Sequence, residues 1–161
     1  MSNNYFGHTS ENPYHLSVGA VVKNSKGEVC CHYFDKFLHK SFGEFENFYL
    51  LMRETPEPGE TLEETLKRGL LEEFGMEATL NRYIGSIVSH FPKKEKMIEK
   101  TTLYFLCDFI SLDESKRDRN DPEASSEIRW LTPSELILKM KEQGERLERT
   151  DADESVILER I

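Results

Sequence analysis

The chain has 161 residues, 37% of them apolar and 32% charged, and a formal net charge of −9. That length suits one domain able to bury a core without disulfide or metal staples, a need that sets in below roughly 70–80 residues. The acidic balance argues against a nucleic-acid partner, because affinity for a phosphate backbone needs clustered Lys and Arg; it favours solubility first and the gathering of carboxylates around a divalent cation second.

Residues 1–14 are polar and Asn-rich and read as an irregular arm, without the basic-then-apolar pattern of a secretory signal. Leu16–Lys23 has strand composition, Asn24-Ser25-Lys26-Gly27 a turn, and Glu28–Phe34 a returning strand, which together predict a hairpin. The cysteines Cys30, Cys31 and Cys107 are odd in number and lack metal-ligand spacing, and neighbours on a strand face opposite ways, so a reducing compartment is expected. Asp35–Glu46 is expected to be irregular, Asn47–Arg53 a strand, and Thr55–Gly59 a proline-rich turn. A helix is predicted over Thr61–Phe74, stopped by Gly75. Strands at Tyr83–Phe91 and Ile98–Phe109 flank the basic loop Lys93-Lys94-Glu95-Lys96, and Asp113–Ser125 reads as a charged loop. Glu127–Leu131 is a short strand, Thr132-Pro133 opens a helix running to about Glu142, and Asp151 or Asp153 is placed to cap a short terminal helix. Strands around two or three helices, with few βαβ units and no long linker, predict a single α+β domain over residues 1–161. No apolar run approaches the roughly 18 residues that span a bilayer, so no membrane partner is expected and the cytoplasm is the expected location.

The helix over Thr61–Phe74 holds the candidate chemistry. Thr61 and Glu64 form a capping box, and Leu62, Leu66, Leu70 and Phe74 make one apolar stripe. At about 100° per residue Glu73 falls beside that stripe and Glu72 beyond it, with Gly69 a turn back between them. Two carboxylates that close repel each other, and a hard divalent cation relieves the repulsion. The competing reading is an ordinary amphipathic helix with a solvated acidic end, because Glu63–Lys67 and Glu64–Arg68 are common i,i+4 pairs worth roughly 0.2–0.5 kcal/mol each.

The longer segment resembles the Nudix box, G-x5-E-x7-R-E-U-x-E-E-x-G-U with U aliphatic. Glu60, Arg68, Leu70, Glu72, Glu73, Gly75 and Met76 match, so seven of nine defined positions agree across Glu54–Met76. The flanking order is similar too, down to Ile128-Arg129-Trp130-Leu131 before Pro133 and Glu135. The resemblance implies a Nudix-like mixed β-sheet sandwich between helices. It implies Mg²⁺ or Mn²⁺ held against a small-molecule diphosphate, with Glu72 and Glu73 as ligands or base. Arg68 would be part of the catalytic set and, with Glu60, would brace the box loop against the helix, supported by Gly59 and Gly75.

Two positions depart from the pattern: Glu54 stands where the box has its first glycine, and Gly69 where it has a glutamate. The resemblance makes that glutamate a metal ligand, and a glycine inside a helix costs roughly 0.8–1.0 kcal/mol relative to alanine. The site is therefore either weakened or rebuilt around another acid, and the sequence leaves both open. Glu123 and Glu127, before the Trp130 strand, and Glu54 and Glu57, in the box loop, are available carboxylates. Arg53 is a candidate phosphate contact. Phe42, Phe45, Phe48 and Tyr49 are candidates to line a nucleobase pocket or to pack the core. His15, His32, His39 and His90 have no ligand spacing and are expected in surface or packing roles, Trp130 in the core, and the lysines 93, 94 and 96 at a solvated tip.

The expected function is metal-dependent hydrolysis of a nucleoside diphosphate linked to another moiety, by a monomer or homodimer. The alternative is a Nudix-fold module that binds a nucleotide or a partner with little or no chemistry. Isomerisation, as in the isopentenyl diphosphate branch of the superfamily, ranks last because the cysteine and glutamate it uses have no convincing place here.

Overall fold

Strand β1 (Tyr14–Lys23) organises the architecture, seen in a computed structural model that describes residues 6–39 and 43–161. Every residue from Ser17 to Val22 is buried, so both faces of β1 are covered. Because strand side chains alternate, Val18, Ala20 and Val22 enter a core with Leu66, Leu70 and Phe74 of α1 (Leu62–Phe74). Val21 enters the opposite core, with Leu136 and Met140 of α2 (Pro133–Leu147) and Ile157 and Leu158 of α3 (Ser155–Leu158). The adjacent Cys30 and Cys31 divide in the same way, and both are buried and free. Each fully buried Leu or Phe contributes about 1.5–3 kcal/mol relative to exposure, so helices on both faces hold the sheet between them. This is the expected α+β sandwich.

The seven-stranded mixed sheet runs β3 (Gly43–Leu50), β2 (Val29–His39), β1, β6 (Lys96–Leu112) and β5 (Met76–Lys93), with β4 (Met52–Glu54) added to β1 and β7 (Glu127–Leu131) to β2. β1 lies parallel to β6, from Tyr14↔Glu99 to Lys23↔Asp108. The expected β1–β2 hairpin closes at Lys23↔Val29 and then opens. β1 turns to β4, while β2 takes β7 and β3.

The segment expected to be irregular, Asp35–Glu46, is largely the β2–β3 hairpin, paired from His32↔Leu50 to His39↔Gly43. Its aromatic residues cluster, with Phe37 stacked on Phe48 at 5.3 Å and Phe34 against Phe37 at 4.6 Å. The single strand expected over Asn47–Arg53 is split at Leu51, whose N–H leaves the ladder and donates to the buried Glu154 carboxylate at 2.9 Å. β5 (Met76–Lys93) starts directly after Gly75 rather than at Tyr83. Bulges near residues 77–78, 80–82 and 83–85 break its alternation, which conceals its first half from a period-two reading. Near the chain end Asp153 accepts from the Ser155 N–H at 2.9 Å as α3 begins. Among the described residues no helix is long and apolar enough to cross a membrane.

Candidate metal centre

Helix α1 is fixed at both ends. At its start the Thr61 hydroxyl accepts from the Glu64 N–H at 3.2 Å, and the Glu64 carboxylate accepts from the Thr61 N–H at 2.7 Å. At its end Gly75 adopts φ 68°, and a Cβ there would sit 2.0 Å from the Asp113 carbonyl oxygen, so only glycine fits. Between the ends, Thr65, Leu66, Gly69, Leu70, Glu73 and Phe74 face inward.

The box loop is tied to this helix by Arg68. Its Nε donates to Glu60 Oε1 at 2.7 Å and its Nη2 to Glu60 Oε2 at 3.0 Å and to the Thr55 carbonyl at 2.9 Å. This two-pronged bond holds Glu60 down at about 2. Arg68 Nη1 lies 3.4 Å from both Glu54 Oε2 and Glu72 Oε2, so the guanidinium is fully engaged in positioning acids. Gly59 turns the loop at φ 89°, and Glu57 is exposed.

Glu73 is 2% exposed, and its Oε2 lies 2.7 Å from His32 Nε2 on β2. His32 Nδ1 is 2.6 Å from the Ser126 hydroxyl, which accepts from Arg117 Nη2 at 2.8 Å. Arg117, Ser126, His32 and Glu73 thus form one continuous hydrogen-bonded chain, with the two ring nitrogens of His32 engaged by Ser126 and Glu73. Burial pushes His32 down to about 3, keeping the ring neutral. Burial also raises the Glu73 carboxyl, and the nearby Glu123 and Asp121 raise it further.

Those two acids arrive on the loop between β6 and β7, which carries a short 3-10 turn at Glu114–Lys116. The loop is tethered to α1 by the Asp118 N–H bonded to the Glu72 carbonyl at 2.8 Å. Arg117 braces it from within, through the carbonyls of Glu123 and Ser126, each at 2.9 Å. Among the described residues two groups of carboxylates result, Glu54–Glu72–Asp121 and Glu73–Asp121–Glu123. Within each group, one oxygen per residue lies within 4.8 Å of the others, and Asp121 belongs to both. At an effective dielectric of about 20, each close pair of charges repels by on the order of 3 kcal/mol. The repulsion is relieved by a shared proton or by a cation. Burial, aided by Asp121, pushes Glu123 up to about 8. All donors are carboxylate oxygens, the hard ligand set suited to Mg²⁺ or Mn²⁺, so the residues fit such an ion.

A cavity of about 220 Å³ opens beside this cluster, lined by Glu73 and Glu123, the cations Arg53, Lys100 and Arg149, and an aromatic wall that includes Phe45 and Phe48. Arg53 Nε lies 3.7 Å from Glu154 Oε1, which also accepts from the Tyr104 hydroxyl at 2.5 Å. Burial, with Arg53 adding to it, lowers Lys100 to about 8.

Of the acids singled out in the sequence, Glu54, Glu72, Glu73 and Glu123 converge, whereas Glu127 does not. Glu127 is exposed and paired with Arg129 at 3.1 Å, because it alternates with Ile128 and Trp130, which pack on the α1 side of the sheet. Tyr49 faces the opposite core, and Phe42 lies outside the described residues. His90 is exposed beside Glu99, and Trp130 packs edge-on to Phe109 at 5.1 Å. Asp121, Lys100, Arg117 and Ser126 were not singled out by the sequence, and His32 was expected only in a surface or packing role. Asp121 sits in a loop crowded with charges of both signs, and His32 meets Glu73 across 41 positions.

A profile of the NUDIX domain matches residues 13–150. Among solved structures, the chain is similar to a NUDIX hydrolase from Nitrosomonas europaea, with TM-score 0.58 and 16% identity over 78% of this chain and 77% of that one. It is similar to the E. coli ORF135 protein, with TM-score 0.54 and 18% identity over 91% and 87% of the two chains. It is also similar to a MutT protein from Methanosarcina mazei Go1, with TM-score 0.53 and 19% identity over 89% and 99%. No curated protein matches the chain. At these identities the solved structures speak for the fold, while the profile covers most of the chain, and the chain belongs to the Nudix family.

Proposed function

We propose that the protein is a metal-dependent pyrophosphohydrolase that cleaves a nucleoside diphosphate linked to another moiety. The family as a whole hydrolyses nucleoside diphosphate derivatives and generally uses divalent ions. The observation that carries the reading is the convergence of two carboxylate groups on Asp121 beside a cavity lined with Arg53 and Lys100.

Glu72, Glu73, Asp121 and Glu123 would hold Mg²⁺ or Mn²⁺, which when bound polarises the diphosphate and lowers the pKa of a bound water. Arg53 and Lys100 bind the anionic substrate on the cavity side. Carboxylates not taken up by the ion accept the proton of the attacking water. His32 holds the Glu73 carboxyl in place beside the loop acids Asp121 and Glu123. Arg68 acts through Glu60, Glu54 and Glu72 and is a positioning residue. The free, buried cysteines support a reducing, cytoplasmic setting.

Turnover of a nucleoside diphosphate panel is expected to need Mg²⁺ or Mn²⁺ and to fall at least about 100-fold in Glu73→Gln. A wild type inert across the panel overturns the reading. Gly69 favours a second reading, a binding module without chemistry; it predicts thermal stabilisation by a nucleotide that persists in EDTA.

A further inference from the structure

We propose that Glu54 supplies the carboxylate that Gly69 lacks, the acid and the glycine having exchanged places between strand β4 and helix α1. The inference rests on the metal-centre reading and names one more of its ligands.

The two departures from the box are opposite in kind, an acid where glycine is expected and a glycine where an acid is expected. In the fold the two positions face each other. A Cβ added at Gly69 would lie 2.8 Å from Glu54 Cβ, 3.3 Å from Glu54 Cγ and 2.8 Å from Met52 Sδ. Carbon atoms in contact settle at roughly 3.5–4.0 Å, so the interface admits one side chain and not two. Glycine weakens the middle of a helix, and here that weakness creates the space through which the Glu54 stem passes.

The stem delivers its carboxylate to the place where a side chain from position 69 would act. A Glu54 oxygen lies within 4.8 Å of ligand atoms of Glu72 and Asp121. Its Oε1 is pinned by the Thr55 N–H at 2.8 Å, and its Oε2 lies 3.4 Å from Arg68 Nη1. The backbone beneath is held in the sheet by the Val18↔Glu54 register. The acid is therefore presented from a strand, by a short side chain with a fixed origin, and the donor set regains the carboxylate that the helix no longer carries.

The test measures Mn²⁺ binding by calorimetry and Tm for wild type, Glu54→Gln, Glu72→Gln, Glu54→Gly, Gly69→Glu and the double variant Glu54→Gly/Gly69→Glu. Glu54→Gln keeps the shape of the side chain, and it is expected to weaken Mn²⁺ binding at least roughly tenfold with little change in Tm. Gly69→Glu alone is expected to lower Tm, because two side chains now compete for one space. The double variant is expected to recover both Tm and Mn²⁺ affinity relative to the single changes. If Glu54→Gln binds Mn²⁺ as tightly as wild type while Glu72→Gln does not, the exchange is overturned and the metal centre stands. A double variant no better than the worse single one also overturns the exchange. A wild type that binds no Mn²⁺ overturns the exchange together with the metal centre.

Discussion

His32 illustrates how a residue without any motif becomes part of a site. Its ring is fully buried and neutral, with Nδ1 bonded to Ser126 and Nε2 to Glu73. Removing that partner leaves the buried Glu73 carboxyl short of a hydrogen bond, which costs about 1–3 kcal/mol. His32→Ala is accordingly expected to lose stability of that order in urea unfolding and to weaken Mn²⁺ binding by about 10–100-fold, the usual effect of losing a group that orients a ligand. Unchanged Mn²⁺ affinity in a folded His32→Ala protein would show that the histidine serves packing alone. The sequence could not supply this residue, since its partners lie 41 and 94 positions away. Glu73 was legible because helical period and box spacing both place it beside the apolar stripe.

At the scale of elements, legibility follows the range of the interactions that define each one. Helix α1 is set by contacts within a few residues, a capping box, a four-residue stripe and a left-handed stop, and all three are visible in sequence. The β2–β3 hairpin is set by stacking of Phe37 on Phe48 across the sheet, with Asp35, Lys36, Glu44 and Glu46 interleaved so that no clean alternation shows. The loop carrying Asp121 takes its shape from Arg117 and from the C-terminal end of α1, both tertiary effects. Gly75 joins the two kinds of information. Its φ of 68° is a local requirement, whereas the Asp113 carbonyl packed against it is the start of the acidic loop. Gly75→Ala is expected to destabilise the protein by at least about 1–3 kcal/mol, the cost of holding a non-glycine residue in that region, with the collision added. Urea midpoints measure it, and a midpoint equal to wild type would mean that α1 and the loop do not meet as described.

Across the whole molecule, β1 sends alternate side chains into two cores, which gives a sheet covered by α1 on one face and by α2 and α3 on the other. The class was readable from the order of elements; the parting of β1 from β2, which sends them to different neighbours, was not. The first strand also carries His15, hydrogen-bonded to His8 and to Thr55, each at 2.8 Å. Burial lowers it to about 4, with Lys100, His8 and Lys93 adding to the shift. A histidine depressed in the folded state gives stability that is whole above its unfolded value of 6.5 and is lost as pH falls toward 4. Tm is therefore expected to fall between pH 7 and 5 more steeply in wild type than in His15→Gln. Parallel slopes would remove His15 as the cause.

Asp121 stands at the junction of both carboxylate groups, so its loss strikes the proposed centre without disturbing the helix that defines the family motif. The most direct measurement is a calorimetric Mn²⁺ titration of the wild type and of Asp121→Asn, paired with turnover of the diphosphate panel in each. The account predicts saturable binding and metal-dependent turnover in the wild type, both reduced at least tenfold by the substitution, the order expected for loss of a group at a metal site. Equal Mn²⁺ affinity in the two proteins, or turnover that survives EDTA, would contradict it.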